Sequence, residues 1–95
     1  MPEMRFRVSW PDGTSETCYS PSLLIKDYFV VGKCYLLVDF LTRSRAALKI
    51  ASDRVQAKYG HPCSRALAQL TRIEAVSQTF AGMPGARVAI EAFED

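Results

Sequence analysis

One histidine and one tryptophan are all the 95-residue chain carries of those types, and the short strings that announce chemistry are missing. There is no Gly-rich phosphate loop, no His-Glu-x-x-His and no Cys-x-x-Cys pair. That excludes nucleotide chemistry of the P-loop kind, zincin-type hydrolysis, and zinc or redox sites built on paired cysteines. Long apolar runs are missing too. Tyr28–Val31 and Tyr35–Val38 fall far short of the roughly 20 residues that cross a bilayer, so no membrane association is expected. The start, Met1-Pro2-Glu3-Met4-Arg5-Phe6-Arg7, has no apolar core of a signal peptide. Cys18, Cys34 and Cys63 are an odd, widely spaced set, so reduced thiols in a cytoplasmic protein are expected. Charge of one sign is scarce as well. Twelve Lys and Arg stand against ten Asp and Glu, net +2. The pI near 8.5 lies below the value of about 9 usual for nucleic-acid binders.

What is present is a core. Hydrophobic residues make up 48% of the chain, with five Phe and four Tyr, enough to fill one domain over residues 1–95 without disulfides. A domain of this size buries roughly two thirds of its unfolded surface. Its stability is therefore modest, and self-association, as a homodimer for instance, fits that size.

Met4, Phe6, Val8 and Trp10 alternate with Arg5, Arg7 and Ser9, the period of a half-buried strand. Pro11-Asp12-Gly13 then supplies a preset turn position, a local acceptor and a residue at ease with positive φ. The second strand runs from about Thr14 to Tyr19. A three-residue loop sets Trp10 opposite Thr14 and Phe6 opposite Cys18, which makes Cys18 a core residue. Arg5, Arg7, Thr17 and Tyr19 then share the outer face, with Phe93 as a further candidate there.

Ser20-Pro21 reads as the start of a short helix to about Phe29, ended near Gly32, and residues 32–37 as an irregular connection. A long helix starts at Val38 or Asp39 and ends at Tyr59, capped by Gly60. Its stripe is Phe40, Ser44, Ala47, Leu48, Ala51, Val55 and Tyr59. A third helix spans about Pro62 to Phe80, with Ala66, Leu67, Leu70, Ile73, Ser77 and Phe80 inward. Arg87 to Phe93 forms the last strand, with Val88, Ile90 and Ala92 on one face, paired beside the first. The expected architecture is α+β: a β-β-α-α-α-β two-layer sandwich, its three-stranded sheet covered on one face by helices.

No residue set specifies a catalytic centre, a cofactor or a metal. His61 and Cys63, with Cys18 or Cys34, lack the spacing of four converging zinc ligands. Cys63 falls in the first turn of the third helix, where free N–H groups favour a thiolate or an anion. Ser64 and Arg65 are beside it, and His61 is near enough in sequence to serve as a base. Burial as a packed thiol explains Cys63 equally. Arg43, Arg45, Lys49, Arg54 and Lys58 bias the helix 39–59 toward nucleic acid, yet Asp39–Arg43 and Lys49–Asp53 are ordinary i,i+4 pairs. No stacking aromatics are interleaved with them, which disfavours nucleic acid. The outer sheet face, with Arg5, Arg7 and Tyr19, has the Arg and aromatic content of an interface.

Several longer strings resemble a known family. They are Trp10-Pro11-Asp12-Gly13, Glu16-Thr17-Cys18-Tyr19-Ser20-Pro21-Ser22, Lys26-Asp27-Tyr28, Arg54-Val55 with Ala57-Lys58-Tyr59-Gly60, Cys63-Ser64-Arg65-Ala66-Leu67 and Gln69-Leu70-Thr71-Arg72-Ile73-Glu74. Over about residues 3–80 the chain is similar to small bacterial nitrogen starvation response proteins, with His61 and Cys34 departing from the family's pattern. The resemblance implies a setting of scarce nitrogen or nitriles, in gene clusters with a nitrilase, a radical-SAM protein and an acetyltransferase-like protein. It carries no catalytic residues over. The sequence thus favours a non-catalytic accessory or regulatory protein that binds a protein partner or itself, with Arg5, Arg7, Tyr19, Cys63, Ser64 and Arg65 as candidate binding residues. The alternatives are a small-molecule or anion binder, or a small enzyme, at the Cys63 helix start, and nucleic-acid binding by the basic helix.

Overall fold

Alternation builds the first two strands as the sequence predicts. In the computed structural model, which describes residues 3–94, β1 is Met4–Ser9 and β2 is Ser15–Ser20. They pair antiparallel with Phe6 opposite Cys18 and Arg5 opposite Tyr19. The turn sets this register. The Trp10 N–H donates to the Thr14 carbonyl at 2.8 Å and the Gly13 N–H to the Trp10 carbonyl at 2.8 Å. Asp12 Oδ1 accepts from the Thr14 N–H at 3.0 Å and the Thr14 hydroxyl at 2.7 Å. Gly13 sits at φ 88°, a conformation that costs glycine nothing.

The segment after β2 departs from the helix expected over Pro21–Phe29. The Ser20 hydroxyl donates to the Ser22 carbonyl at 2.8 Å, and Ser22 Oγ accepts from the Leu24 N–H at 3.2 Å. Serine hydroxyls thus take the backbone groups a helix start would use, and α1 is only Ile25–Tyr28. The 32–37 segment is not irregular. Cys34–Leu36 is a strand, β3, antiparallel to the last strand β4, Arg87–Glu94, with Tyr35 opposite Val88. The pairing begins earlier, with the Gly32 N–H donating to the Ile90 carbonyl at 2.8 Å. The sheet therefore has four strands rather than three, in the order β2-β1-β4-β3, and the chain order is β-β-α-β-α-α-β.

Helix α2, Leu37–Tyr59, follows β3 directly and ends on Gly60 at φ 85°, as its cap predicts. Helix α3, Ser64–Thr79, returns antiparallel. Phe40, Ser44, Ala47, Leu48 and Ala51 are buried from α2, and Ala66, Ile73 and Ser77 from α3. Tyr59 and Leu67, expected inward, are 53% and 44% exposed. The central cluster reaches only to Leu48 on α2 and to Leu70 and Ile73 on α3. Ala51 and Ala66 nearer the turn are still fully buried, so Leu67 lies off the buried stripe of Ala66, Ile73 and Ser77 on α3, and Tyr59 sits on the last turn of α2 beyond its buried residues.

Strand β4 corrects a second expectation. Arg7 faces Ala92 but Val8 faces Ile90, so Glu91 is an extra residue in a bulge. A bulge resets the alternation beyond it. Ala92 consequently leaves the Val88–Ile90 face, and Phe93 turns inward, opposite Phe6 and against the core. The core is an aromatic chain. Trp10 meets Phe40 edge-on at 5.5 Å, Phe40 meets Phe29 at 5.3 Å, and Phe29 meets Tyr35 edge-on at 5.2 Å. The helices pack over this one face and leave the other face of the sheet open. Among the described residues no helix is long and apolar enough to cross a membrane.

Candidate functional site

Strand alternation puts Arg5, Arg7, Thr17 and Tyr19 on the open face, and tertiary packing then divides them into two groups. Arg7 Nη1 pairs with Glu94 at 3.0 Å and its Nε lies 3.9 Å from Glu91, two acids that β4 brings alongside. The Ser15 hydroxyl donates to Glu91 at 2.6 Å. These links tie Arg7 to the middle of the sheet.

Tyr19 belongs to a different cluster. The start of α3 lies against β2, and the Arg65 guanidinium stacks 4.0 Å from the centre of the Tyr19 ring. Glu3 lies 3.7 Å from Arg5 and 3.5 Å from Arg65. The Cys63 thiol sits beside the Tyr19 hydroxyl. Burial pushes the Tyr19 phenol above its ordinary range, with Cys63 acting the same way, Arg65 opposing and Glu3 adding a smaller push. The structure therefore joins two regions the sequence treats as separate, the sheet face and the α3 start. Arg5, Tyr19, Cys63 and Arg65 converge around Glu3, and Arg7 stands apart. Ser64 is exposed on the first turn and makes no side-chain hydrogen bond among the described residues. The Cys63 N–H is held by Ser52 Oγ at 3.2 Å.

Gln69 completes this corner. Its side-chain oxygen accepts the Tyr19 N–H at 2.9 Å, across the outer edge of β2. One turn on, Arg72 pairs with Glu16 at 3.1 Å, and Glu16 also accepts from the Trp10 indole at 3.3 Å. The basic helix is partly engaged within the fold. Arg43 binds Asp39 at 3.0 Å and donates to the Tyr28 carbonyl at 2.9 Å, and Arg45 binds Glu74 at 2.9 Å. Among the described residues no three His, Cys, Asp or Glu side chains come together as a metal site.

Two features escape sequence reasoning. The β3 edge of the sheet is ringed by exposed apolar side chains: Val30, Val31, Leu36, Val38 and Met83. The clue was the apolar runs either side of Gly32-Lys33, which read as connection because β3 has only three residues. Beside that edge, an apolar groove of about 410 Å³ opens between the start of α2, the end of α3 and the loop into β4.

A family model described as nitrogen starvation-induced protein NitG matches residues 5–93. No curated protein and no solved structure shows significant similarity to the chain. The family match runs from β1 to the end of the sheet and includes Arg5, Arg7, Tyr19, Cys63, Ser64 and Arg65 in its span. The chain belongs to the NitG family of nitrogen starvation-induced proteins.

Proposed function

We propose that the chain is a non-catalytic accessory protein of the nitrogen-starvation response, acting by binding a protein partner or a second copy of itself. The open sheet face carries this reading. One side of it holds Arg5, Arg7 and Tyr19, and the other ends in Leu36, 45% exposed, within a rim of apolar side chains at the β3 edge. Clustered exposed apolar residues with flanking Arg and aromatic groups are the composition of interfaces. A 95-residue domain gains much from covering such a face.

The test uses two variants, Arg7→Glu with Tyr19→Ala, and Leu36→Asp, each checked for folding by circular dichroism. Affinity capture from nitrogen-starved cells and the mass in sedimentation are both read. Loss of a captured protein or of the assembled mass in either variant supports the reading. Unchanged capture and unchanged mass in both overturn it.

A second reading draws on the Arg5–Glu3–Arg65 arrangement at the start of α3, where a carboxylate already bridges two guanidinium groups. An anionic ligand would take that place, with Tyr19 and Cys63 beside it. Glu3→Gln should then strengthen binding of a small dicarboxylate such as succinate, measured by calorimetry. Binding that is no tighter in this variant removes the site.

A further inference from the structure

Strand β3 ends the sheet, and its ladder with β4 fixes which of its backbone groups are free. The Ile90 N–H donates to the Lys33 carbonyl at 3.1 Å and the Leu37 N–H to the Ala86 carbonyl at 3.0 Å. The odd-numbered residues therefore face β4, with Tyr35 opposite Val88. Alternation turns the even-numbered ones outward. Among the described residues, the N–H groups of Cys34 and Leu36 and the Cys34 carbonyl find no partner within the fold. Around them stand Val30, Val31, Leu36, Val38 and Met83, each 44–72% exposed. These side chains offer on the order of 400 Å² of apolar surface, the size of patch that marks an interaction site.

We propose, resting on the self-association reading, that this edge pairs with the same edge of a second copy. The two β3 strands run antiparallel about a two-fold axis at Tyr35 and join two four-stranded sheets into one. Cys34 then lies opposite the partner's Leu36, and each Leu36 N–H donates to a Cys34 carbonyl across the axis. A register centred on Cys34 fails, because Gly32, at φ 85°, turns the chain off the strand line and leaves the Leu36 N–H nothing to pair with. The occupant follows from how little backbone is free. So few groups hold a bare peptide poorly, and a short edge beside a lysine is a device that discourages stray strands. A partner has to bring apolar surface of its own, and this rim is its own complement. The two-fold sets Cys34 against Leu36, and the Val30 and Val31 side of one copy against the Val38 side of the other. Charge fits as well. Lys33 precedes the axis, its ammonium 5.3 Å over the Tyr35 ring and without an ion pair among the described residues. Asp39 follows the axis, with a side chain 45% exposed beside Arg43. Antiparallel pairing carries the Lys33 of one copy toward the Asp39 of the other. With the strand backbones and Lys33 stems included, two copies bury on the order of 1,000 Å² in total, about the least that holds a specific dimer.

The test is sedimentation equilibrium of the full chain, with ¹⁵N NMR over a concentration series. The parent should dimerise with a dissociation constant on the order of 10–100 μM. Rising concentration should shift the amides of residues 30–38 and slow hydrogen exchange at the Leu36 amide. Leu36→Pro removes that donor and keeps the backbone, because Leu36 already sits at φ −57° and its N–H serves nothing inside the chain. Its dilute monomer should stay folded by circular dichroism, and the dimer should weaken at least about thirtyfold, the value of two hydrogen bonds. Val38→Lys alters a side chain 72% exposed, so it keeps the fold whatever the proline does. It should weaken the dimer about tenfold, the value of one buried valine. A parent that stays monomeric at about 1 mM overturns the pairing, whereas capture of a different protein by that monomer leaves the protein-partner reading in force. A dimer kept in both Leu36→Pro and Val38→Lys but lost in Arg7→Glu with Tyr19→Ala also overturns the pairing, and moves self-association to the open sheet face.

Discussion

Replacing Phe40 with alanine is expected to cost about 3–5 kcal/mol, the usual toll of removing a fully buried aromatic ring. Phe40 is completely buried and is the joint of the aromatic chain. It takes the edge of Trp10 from β1 and the ring of Phe29 from the segment after α1, and it anchors the first turns of α2. Removing it leaves a void touched by three elements whose backbones are fixed by the sheet and by α2, so collapse around it is limited. A domain of this length holds on the order of 5–14 kcal/mol in total. The variant should therefore show a large fall in the urea midpoint, with much of the near-ultraviolet signal of Trp10 lost. Tyr59→Ala, at the exposed end of the same helix, should stay within about 0.5 kcal/mol of the parent. A loss below about 1 kcal/mol for Phe40→Ala would show that the neighbouring rings close the void.

The second large effect is alkaline. Burial pushes the Cys18 thiol up to about 12 from an ordinary 9.0, with the Glu16 carboxylate adding to the shift and Arg72 opposing it. The folded state thus keeps the proton that the unfolded chain releases. Below pH 9 both states are protonated and Cys18 costs nothing. Between pH 9 and about 12 the unfolded state ionises alone, and stability drains away. Over the whole window the loss reaches about 4 kcal/mol. Cys18→Ala should begin slightly less stable at neutral pH, because a small void replaces the sulfur. Its stability should then decline less steeply, so that the two curves cross as the pH rises through this window. Lysines and tyrosines titrate in both proteins and cancel in the comparison. Parallel curves would mean that Cys18 is not the group responsible.

Local chemistry made the hairpin readable. Pro11, Asp12 and Gly13 each fix one part of the turn, and the turn fixes the register of every residue from Met4 to Ser20. Gly60 likewise announced the end of α2. What escaped depended on partners far away in sequence. Three residues are too few for alternation to declare a strand, and β3 exists because β4 lies open beside it, some fifty residues on. The bulge at Glu91 is set by pairing with β1, and only that pairing turns Phe93 from the open face to the core. The α1 segment misled because serine followed by proline serves a helix start and a side-chain turn equally well. As for the candidate site, each of Arg5, Tyr19, Cys63 and Arg65 could be singled out from its residue type. Their convergence could not, since it depends on α3 packing back along β2.

The acceptance of the Tyr19 N–H by Gln69 has a bearing on how large an assembly can become. Indefinite growth of a sheet from copy to copy needs two sticky margins, one for the copy before and one for the copy after. Here α3 lays Gln69 and Arg72 against the β2 margin, and among the described residues only the margin at β3 is left with exposed apolar neighbours and no helix over it. A molecule with one such margin is monovalent. If the proposed self-association runs through that margin, two copies would consume each other's valence, in the closed, self-complementary manner of a two-fold dimer, and a fibre would have nowhere to continue.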